Sequence, residues 1–163
     1  MKTYIAPINN NTPLEELVTI GRQNIGKCYE NLLREELSKV ISHDYLGWSA
    51  HIQHKNKIIK SAKPIGYAVV KPTIETFHLE TIAVDYAYRS QGIGAKILTQ
   101  ICQDILHFAK DNHETPTILN VVTDSDANKT INFYLKQGFE ISGYVKDEFV
   151  VGTNQVHLRK VLS

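Results

Sequence analysis

Val84-Asp85-Tyr86-Ala87-Tyr88-Arg89-Ser90-Gln91-Gly92-Ile93-Gly94-Ala95-Lys96 is the stretch whose reading decides the fold. Just upstream, Leu79, Ile82, Ala83 and Val84 supply an apolar strand end. Just downstream, Ile93, Ile97, Ile101 and Ile105 recur every fourth residue, with Leu98, Cys102, Leu106 and Ala109 beside them. That spacing predicts a helix with a broad apolar face. The first turn of a helix has backbone N–H groups with no partner inside the helix. Gly92 and Gly94 remove side chains that would block approach to those groups. Strand, glycine turn and helix start together make a site for a phosphate or diphosphate, helped by the positive end of the helix dipole.

Spacing narrows the ligand. A P-loop needs Gly-x-x-x-x-Gly-Lys-Ser/Thr, which is absent from the chain. A dinucleotide fingerprint needs Gly-x-Gly-x-x-Gly, and Ile97 stands where its third glycine belongs. What remains is Arg89-x-x-Gly92-x-Gly94 after Ile82-Ala83-Val84. This run resembles the acyl-CoA-binding motif of the GNAT superfamily of N-acetyltransferases, Arg/Gln-x-x-Gly-x-Gly/Ala. A glycine turn used for packing alone is the competing reading.

A second segment adds to the first. Ala127-Asn128-Lys129-Thr130-Ile131-Asn132-Phe133-Tyr134-Leu135-Lys136-Gln137-Gly138-Phe139 reads as a short helix closed by a glycine. Asp126 or Asn128 is placed to cap its start, and Gly138 suits the left-handed position past its end. Ile131, Tyr134 and Leu135 fall on one face. The order of strand Thr117–Val122, helix with Phe133-Tyr134, then Gly138-Phe139 is similar to the second GNAT signature, Asn-x-x-Ala-x-x-x-Tyr-x-x-x-Gly-Phe. The chain departs at the front of that pattern. Ala127 stands where the family has Asn, Thr130 where it has Ala, and Asn128 is one position out of register. The resemblance is specific from about Phe77 to Phe139 and weak in the first third of the chain.

Composition is compatible with this and excludes other classes. The chain has 163 residues, the size of one domain spanning 1–163. Its formal net charge of +1 gives no electrostatic case for nucleic acid or for an acidic membrane surface. Apolar runs are far short of a membrane span, and Met1–Pro7 lacks the apolar core of a signal peptide. Cys28 and Cys102 each sit among helical apolar residues, which suggests buried thiols in a reducing cytoplasm rather than a disulfide. His51-x-x-His54 on a strand does not put both rings on one face, so no metal is expected. His43, His107, His113 and His157 show no partner pattern.

The remaining elements form a scaffold. Thr3 to Ile8 reads as a strand and Pro13 to Val40 as two helices broken at Gly26, with Thr12 and Glu15 forming a capping box. Strands are expected over Trp48–Lys60, Pro64–Lys71 and Glu75–Val84. Glu140–Val145 and Phe149–Val161 read as closing strands joined near Asp147-Glu148, with a bulge or turn at Gly152-Thr153-Asn154. The fold class is α/β, of the α+β type: a mixed, mostly antiparallel central sheet flanked by helices.

The resemblance carries its own expectations. Acetyl-CoA is the co-substrate, and no metal is needed. Backbone groups of Ile82 and Val84 pair with its pantetheine arm like an added strand, with Ala83 between them among the cofactor-binding residues. Amides from Ser90 through Gln91, Gly92, Ile93, Gly94 and Ala95 hold the diphosphate, and Arg89 or Lys96 either adds charge nearby or is solvated. Asn128 stands next to the family's cofactor-contacting asparagine, although capping explains it equally well. Tyr134 matches the family tyrosine that serves as general acid or hydrogen-bond donor to the leaving thiolate. His78 and Glu80 lie two apart on the strand before Val84, where relatives carry catalytic bases, and Glu80 is preferred; Asp124 and Asp126 are alternatives. The acceptor is a small-molecule, peptide or protein amine whose identity the sequence does not give. Asp147 and Glu148 suit either a guide for a cationic amine or a solvated turn. Dimers are common in the family, so a homodimer is compatible. The alternative is a catalytically silent acyl-CoA-binding module; a nucleotide-phosphate enzyme lacks any supporting motif.

Overall fold

The computed structural model describes residues 2–53, 63–111 and 117–163. In chain order the elements are β1 (Thr3–Pro7), α1 (Leu14–Ile25), α2 (Glu30–Ile41), β2 (Leu46–Ile52), β3 (Pro64–Pro72), β4 (Thr76–Val84), α3 (Ile93–Asp111), β5 (Thr117–Asp124), α4 (Asn128–Lys136), β6 (Glu140–Val150) and β7 (Thr153–Leu162). The strands hydrogen-bond in the order β1-β2-β3-β4-β5-β7-β6. β4 and β5 run parallel, while β1–β2, β2–β3, β5–β7 and β6–β7 are antiparallel. This is the mixed sheet with flanking helices that the sequence implies. The expected tail of β2 to Lys60, together with His54 and His113, lies outside the described residues.

The chain divides into two units, Met1–Pro72 with Thr81–Gln103, and Thr73–Glu80 with Asp104–Ser163. In the first unit, Leu17, Val18 and Ile20 of α1 and Leu37 and Val40 of α2 pack with Tyr67 and Val69 of β3 and Ala83 of β4. Their helical and strand periodicities put these residues on inward faces. Gly21 permits the close approach: a Cβ there would strike the Tyr67 hydroxyl and Leu33. One buried polar contact crosses this core, the Thr81 hydroxyl donating to Glu36 Oε2 at 2.7 Å. The first half of α3 buries Ile93, Ile97, Leu98 and Ile101.

Two expectations fail in this unit. The capping box at Thr12 and Glu15 does not form, because each side chain is engaged elsewhere. Thr12 Oγ1 accepts from the Asn9 N–H at 3.0 Å, closing the preceding turn, and Pro13 takes the N-cap without a side-chain bond. Glu15 instead receives both arms of the Arg34 guanidinium, at 2.6 and 2.9 Å. Cys28 is exposed, since the 3-10 turn Lys27–Tyr29 lifts it off the apolar stripes of both helices; neither cysteine is in a disulfide.

In the second unit, Thr76–Leu79 of β4 lie in register with Ile118–Val121 of β5. Phe77, Leu79, Leu119, Val121, Val156 and Leu158 are buried there, and Phe77 meets Phe108 of α3 edge-on at 6.2 Å. α4 ends in a Schellman motif: Phe139 N–H donates to Tyr134 O at 3.1 Å and Gly138 N–H to Leu135 O at 3.0 Å, with Gly138 at φ 82°. Ala127 occupies the N-cap of α4 without a side-chain bond, so neither Asp126 nor Asn128 caps it. Ile131, Tyr134 and Leu135 share one face of α4, with Tyr134 buried and Leu135 exposed at its edge.

The final hairpin also differs from expectation. β6 continues through Asp147-Glu148, and the reversal falls at Val151-Gly152, between the paired Val150 and Thr153. Gly152 adopts φ 90°, which suits a tight turn, and its N–H donates to Asp147 Oδ1 at 2.6 Å. The polar pair instead marks an irregular register between Val145 and Val150.

Candidate functional site

The glycine turn is built almost entirely from backbone, and side chains brace it from behind. Asp85 Oδ1 accepts the Ala87 N–H at 2.9 Å and starts the 3-10 turn Tyr86–Tyr88. Arg89 then folds back. Its Nε donates to Val84 O at 3.2 Å, its Nη2 to Asn24 Oδ1 at 2.6 Å, and its guanidinium lies 3.7 Å from the Tyr86 ring centre. Asn24 of α1 also donates to Val84 O, at 3.2 Å. Lys96 sends its ammonium to Thr3 Oγ1 on β1, at 3.0 Å. Both cations flanking the turn are therefore tied to the scaffold.

Ser90 and Gly92 have φ of 59° and 75°. Left-handed residues in such a turn curl successive N–H groups toward one concavity, an anion-binding shape. The Lys96 N–H closes the first helical bond, to Gly92 O at 3.0 Å. Ile93, Gly94 and Ala95 are therefore the first-turn residues of α3, whose amides precede the helical hydrogen-bond ladder. Ile93 is buried and anchors the helix start, while Gly92 is exposed and nothing lies within 4 Å of where its Cβ would stand. The space over the turn is open to a ligand.

Ahead of the turn, the Asp85 N–H donates to Ile65 O of β3 at 3.0 Å. Backbone groups alternate along a strand. Ala83 therefore faces β3, and Ile82 and Val84 turn theirs the other way. The Val84 carbonyl is occupied by Asn24 and Arg89.

The second unit holds the titratable candidates. Tyr134 is only 3% exposed, wedged between Phe133 and Phe139 with ring centres 5.2 and 5.3 Å away. Burial pushes its phenol well above the usual tyrosine range, so it stays protonated and is a donor at any physiological pH. His78 is half-buried, its Nε2 3.3 Å from Thr76 Oγ1, and it pairs in register with Asn120 of β5. Glu80 is exposed. Asn128 is exposed at the first position of α4, its N–H bonded to Asp126 O at 2.8 Å. Ile82 through Ala95 thus lie in the first unit, and Tyr134, His78, Glu80 and Asn128 in the second.

Three features escape the sequence patterns. Asn24 braces the turn from 60 residues away. His157 Nε2 lies 2.6 Å from Glu148 Oε2, although this histidine shows no partner in sequence. Gln155 Nε2 donates to Asp124 Oδ1 at 3.0 Å. Each joins different elements, and no local spacing encodes any of them. Among the described residues, no group of three or more His, Cys, Asp or Glu is arranged to hold a metal ion, and no helix is long and apolar enough to cross a membrane.

Known proteins share this architecture. Residues 48–141 match the family model of the acetyltransferase (GNAT) domain. The ribosomal-protein-S18-alanine N-acetyltransferase of Escherichia coli superposes with a TM-score of 0.77 at 14% identity, over 99% of this chain and 95% of that one. NAA60 of Arabidopsis thaliana, in complex with acetyl-CoA, gives 0.75 at 14% identity, over 99% of each chain. A GNAT family acetyltransferase from Elizabethkingia anophelis with acetyl-CoA bound gives 0.66 at 22% identity, over 98% of each. No curated protein matches the chain significantly.

Proposed function

The chain belongs to the GNAT acetyltransferase family, and from that premise we propose that it is an acetyl-CoA-dependent N-acetyltransferase acting on a primary amine, with residues 1–163 working as one catalytic domain. The observation that carries the reading is the turn at Gly92: positive φ, an open Cβ direction and the first-turn amides of α3 behind it. A diphosphate suits those amides and the helix dipole without needing a cationic side chain. This agrees with Arg89 and Lys96 both being engaged on the scaffold.

Ser90 to Ala95 hold the diphosphate. Ile82 pairs with the pantetheine arm through its backbone, and Val84 through its N–H, since its carbonyl is taken. The neutral amine attacks the thioester carbonyl; the C–N bond forms, the C–S bond breaks, and the thiolate leaves. Tyr134 serves that thiolate as general acid or hydrogen-bond donor, and its burial keeps the phenol in the protonated, donating form. Glu80 or His78 takes the proton that the amine sheds, directly or through water. A backbone N–H near Val84 stabilises the oxyanion. The acceptor is a small-molecule, peptide or protein amine; the near-zero net charge argues against nucleic acid and acidic membranes. The reaction is placed in the cytoplasm.

The burial of Tyr134 also favours a second reading. At 3% exposure a phenol serves equally as a core aromatic, and the chain is then a silent acyl-CoA-binding module. Calorimetric titration with coenzyme A tests the turn. Thiol release from acetyl-CoA over a panel of primary amines tests the chemistry. Binding with turnover on at least one amine supports the enzyme; binding with turnover on none supports the module; absence of binding removes both.

A further inference from the structure

A carboxylate lies in the core of the first unit. Glu36 is 5% exposed and stands on the buried face of α2 with Leu33, Leu37 and Val40. It packs near Tyr67, whose phenol is raised by burial and further by the Glu36 carboxylate. Burying a carboxylate is costly, and an apolar residue in such a place is often as stable or more so. What the carboxylate adds is direction. Its Oε2 accepts the Thr81 hydroxyl at 2.7 Å, and Thr81 is itself 6% exposed. The bond joins α2 to β4 across 45 residues of chain.

Thr81 opens the part of β4 that the proposed function uses. Among the described residues, in-register pairing of β4 with β5 covers Thr76–Leu79. Beyond it, Ile82 and Val84 turn their backbone groups away from β3, as the alternation from Asp85 requires. A strand edge without a neighbouring strand has no ladder to hold its direction. Side chains from the helices take that role here. Asn24 of α1 holds the Val84 carbonyl at 3.2 Å, and Glu36 of α2 holds the Thr81 hydroxyl. The stretch Thr81–Val84 is thus fastened at both ends, with the Ile82 backbone and the Val84 N–H between the two fastenings.

We propose that Glu36 is a positioning residue: through Thr81 it sets the course of β4 so that the backbone groups of Ile82 and Val84 meet the pantetheine arm of coenzyme A. This rests on the acetyltransferase reading and adds to it a residue that touches neither ligand nor glycine turn. A hydrogen bond fixes the strand along one direction, whereas apolar packing in its place is non-directional. The glycine turn has its own braces in Asn24, Arg89 and Asp85. Loss of the Glu36–Thr81 bond therefore weakens the pairing of the arm and spares the diphosphate.

Calorimetric titration with coenzyme A and with 3′-phosphoadenosine 5′-diphosphate, the same molecule without its pantetheine arm, isolates the arm. The ratio of the two affinities is its contribution. Thr81→Val keeps the shape and removes the hydroxyl. In that variant the ratio is expected to fall about fivefold or more, the scale of one or two backbone hydrogen bonds. Affinity for the nucleotide is expected to stay within about twofold. Thr81→Ser keeps the hydroxyl and is expected to keep the ratio. Glu36→Leu removes the acceptor and is expected to match Thr81→Val, with no further loss when the two are combined. Thermal melts establish that each variant is folded, and Glu36→Leu reports independently of Thr81→Val. An unchanged ratio in the folded variants overturns the proposal. So does an equal loss in Thr81→Ser, which makes side-chain shape decisive, or a parallel fall in both affinities, the mark of a general loss of structure. Coenzyme A binding by the parent with an unchanged ratio in the variants leaves the acetyltransferase reading standing; binding of neither molecule by the parent removes both.

Discussion

The turn before α3 and the β5–β7–β6 surface are built by opposite means. The turn uses peptide groups. Its side chains face backward: Arg89 and Asn24 hold the Val84 carbonyl, Lys96 reaches Thr3, and the Gly92 position stands empty. The sheet surface uses side chains. Its backbone is spent on ladder bonds, and Asp124, Gln155, His157 and Glu148 make its cross-strand polar contacts. A backbone site tolerates exchange of most nearby side chains but not a change in dihedral angles. A side-chain site tolerates the reverse.

The largest expected effect separates chemistry from binding. Tyr134→Phe should lower thiol release by about 10²–10⁴-fold, the range for loss of a general acid, while coenzyme A affinity measured by calorimetry holds. Unchanged turnover would make Tyr134 a core residue only. Gly92→Val is next. Nothing crowds the new side chain, so its effect comes from forcing a β-branched residue to φ 75°. A penalty of about 1–2 kcal/mol in stability is expected, with coenzyme A affinity falling by about tenfold or more as the amides lose their aim. Retained affinity would mean that the amides do not form the site.

Asn24→Ala probes the brace. It removes the contacts to Val84 O and Arg89 together, and a few-fold loss of coenzyme A affinity is expected with the turn intact. A loss as large as that of Gly92→Val would show that side chains matter in the turn as much as backbone does.

The smallest effect concerns alkaline stability. Burial raises the phenols of Tyr67 and Tyr134, and for Tyr67 the nearby Glu36 carboxylate adds to it. An unfolded tyrosine ionises near pH 10, about its ordinary value. Above that pH the unfolded chain binds fewer protons than the folded one, so stability falls as pH rises. Their contribution is complete below pH 10 and declines above it. Denaturant melts of Tyr67→Phe should show a shallower decline than the parent chain, and an equal slope would remove Tyr67 from the account.

The legibility of the molecule follows the same division. Gly92 and Gly138 were readable because a left-handed residue beside a helix is a local demand that glycine meets best. The isoleucine stripe of α3 was readable because helical period is local as well. Local signals misled where a nonlocal partner competed. Thr12 and Glu15 have the spacing of a capping box, but Asn9 and Arg34 claim their side chains. Asp147-Glu148 reads as a turn, but β7 pairs past it, and the chain reverses at Gly152.

Residue order was sufficient for the strand–turn–helix at Gly92 and the closed helix at Gly138, since each depends on dihedral preferences within a few bonds. The meeting of His157 with Glu148, the seating of Asp124 against Gln155 and the reach of Asn24 to Val84 came from folding alone. Strand register and helix docking are set by the summed burial of many side chains, and no short window of sequence contains that sum.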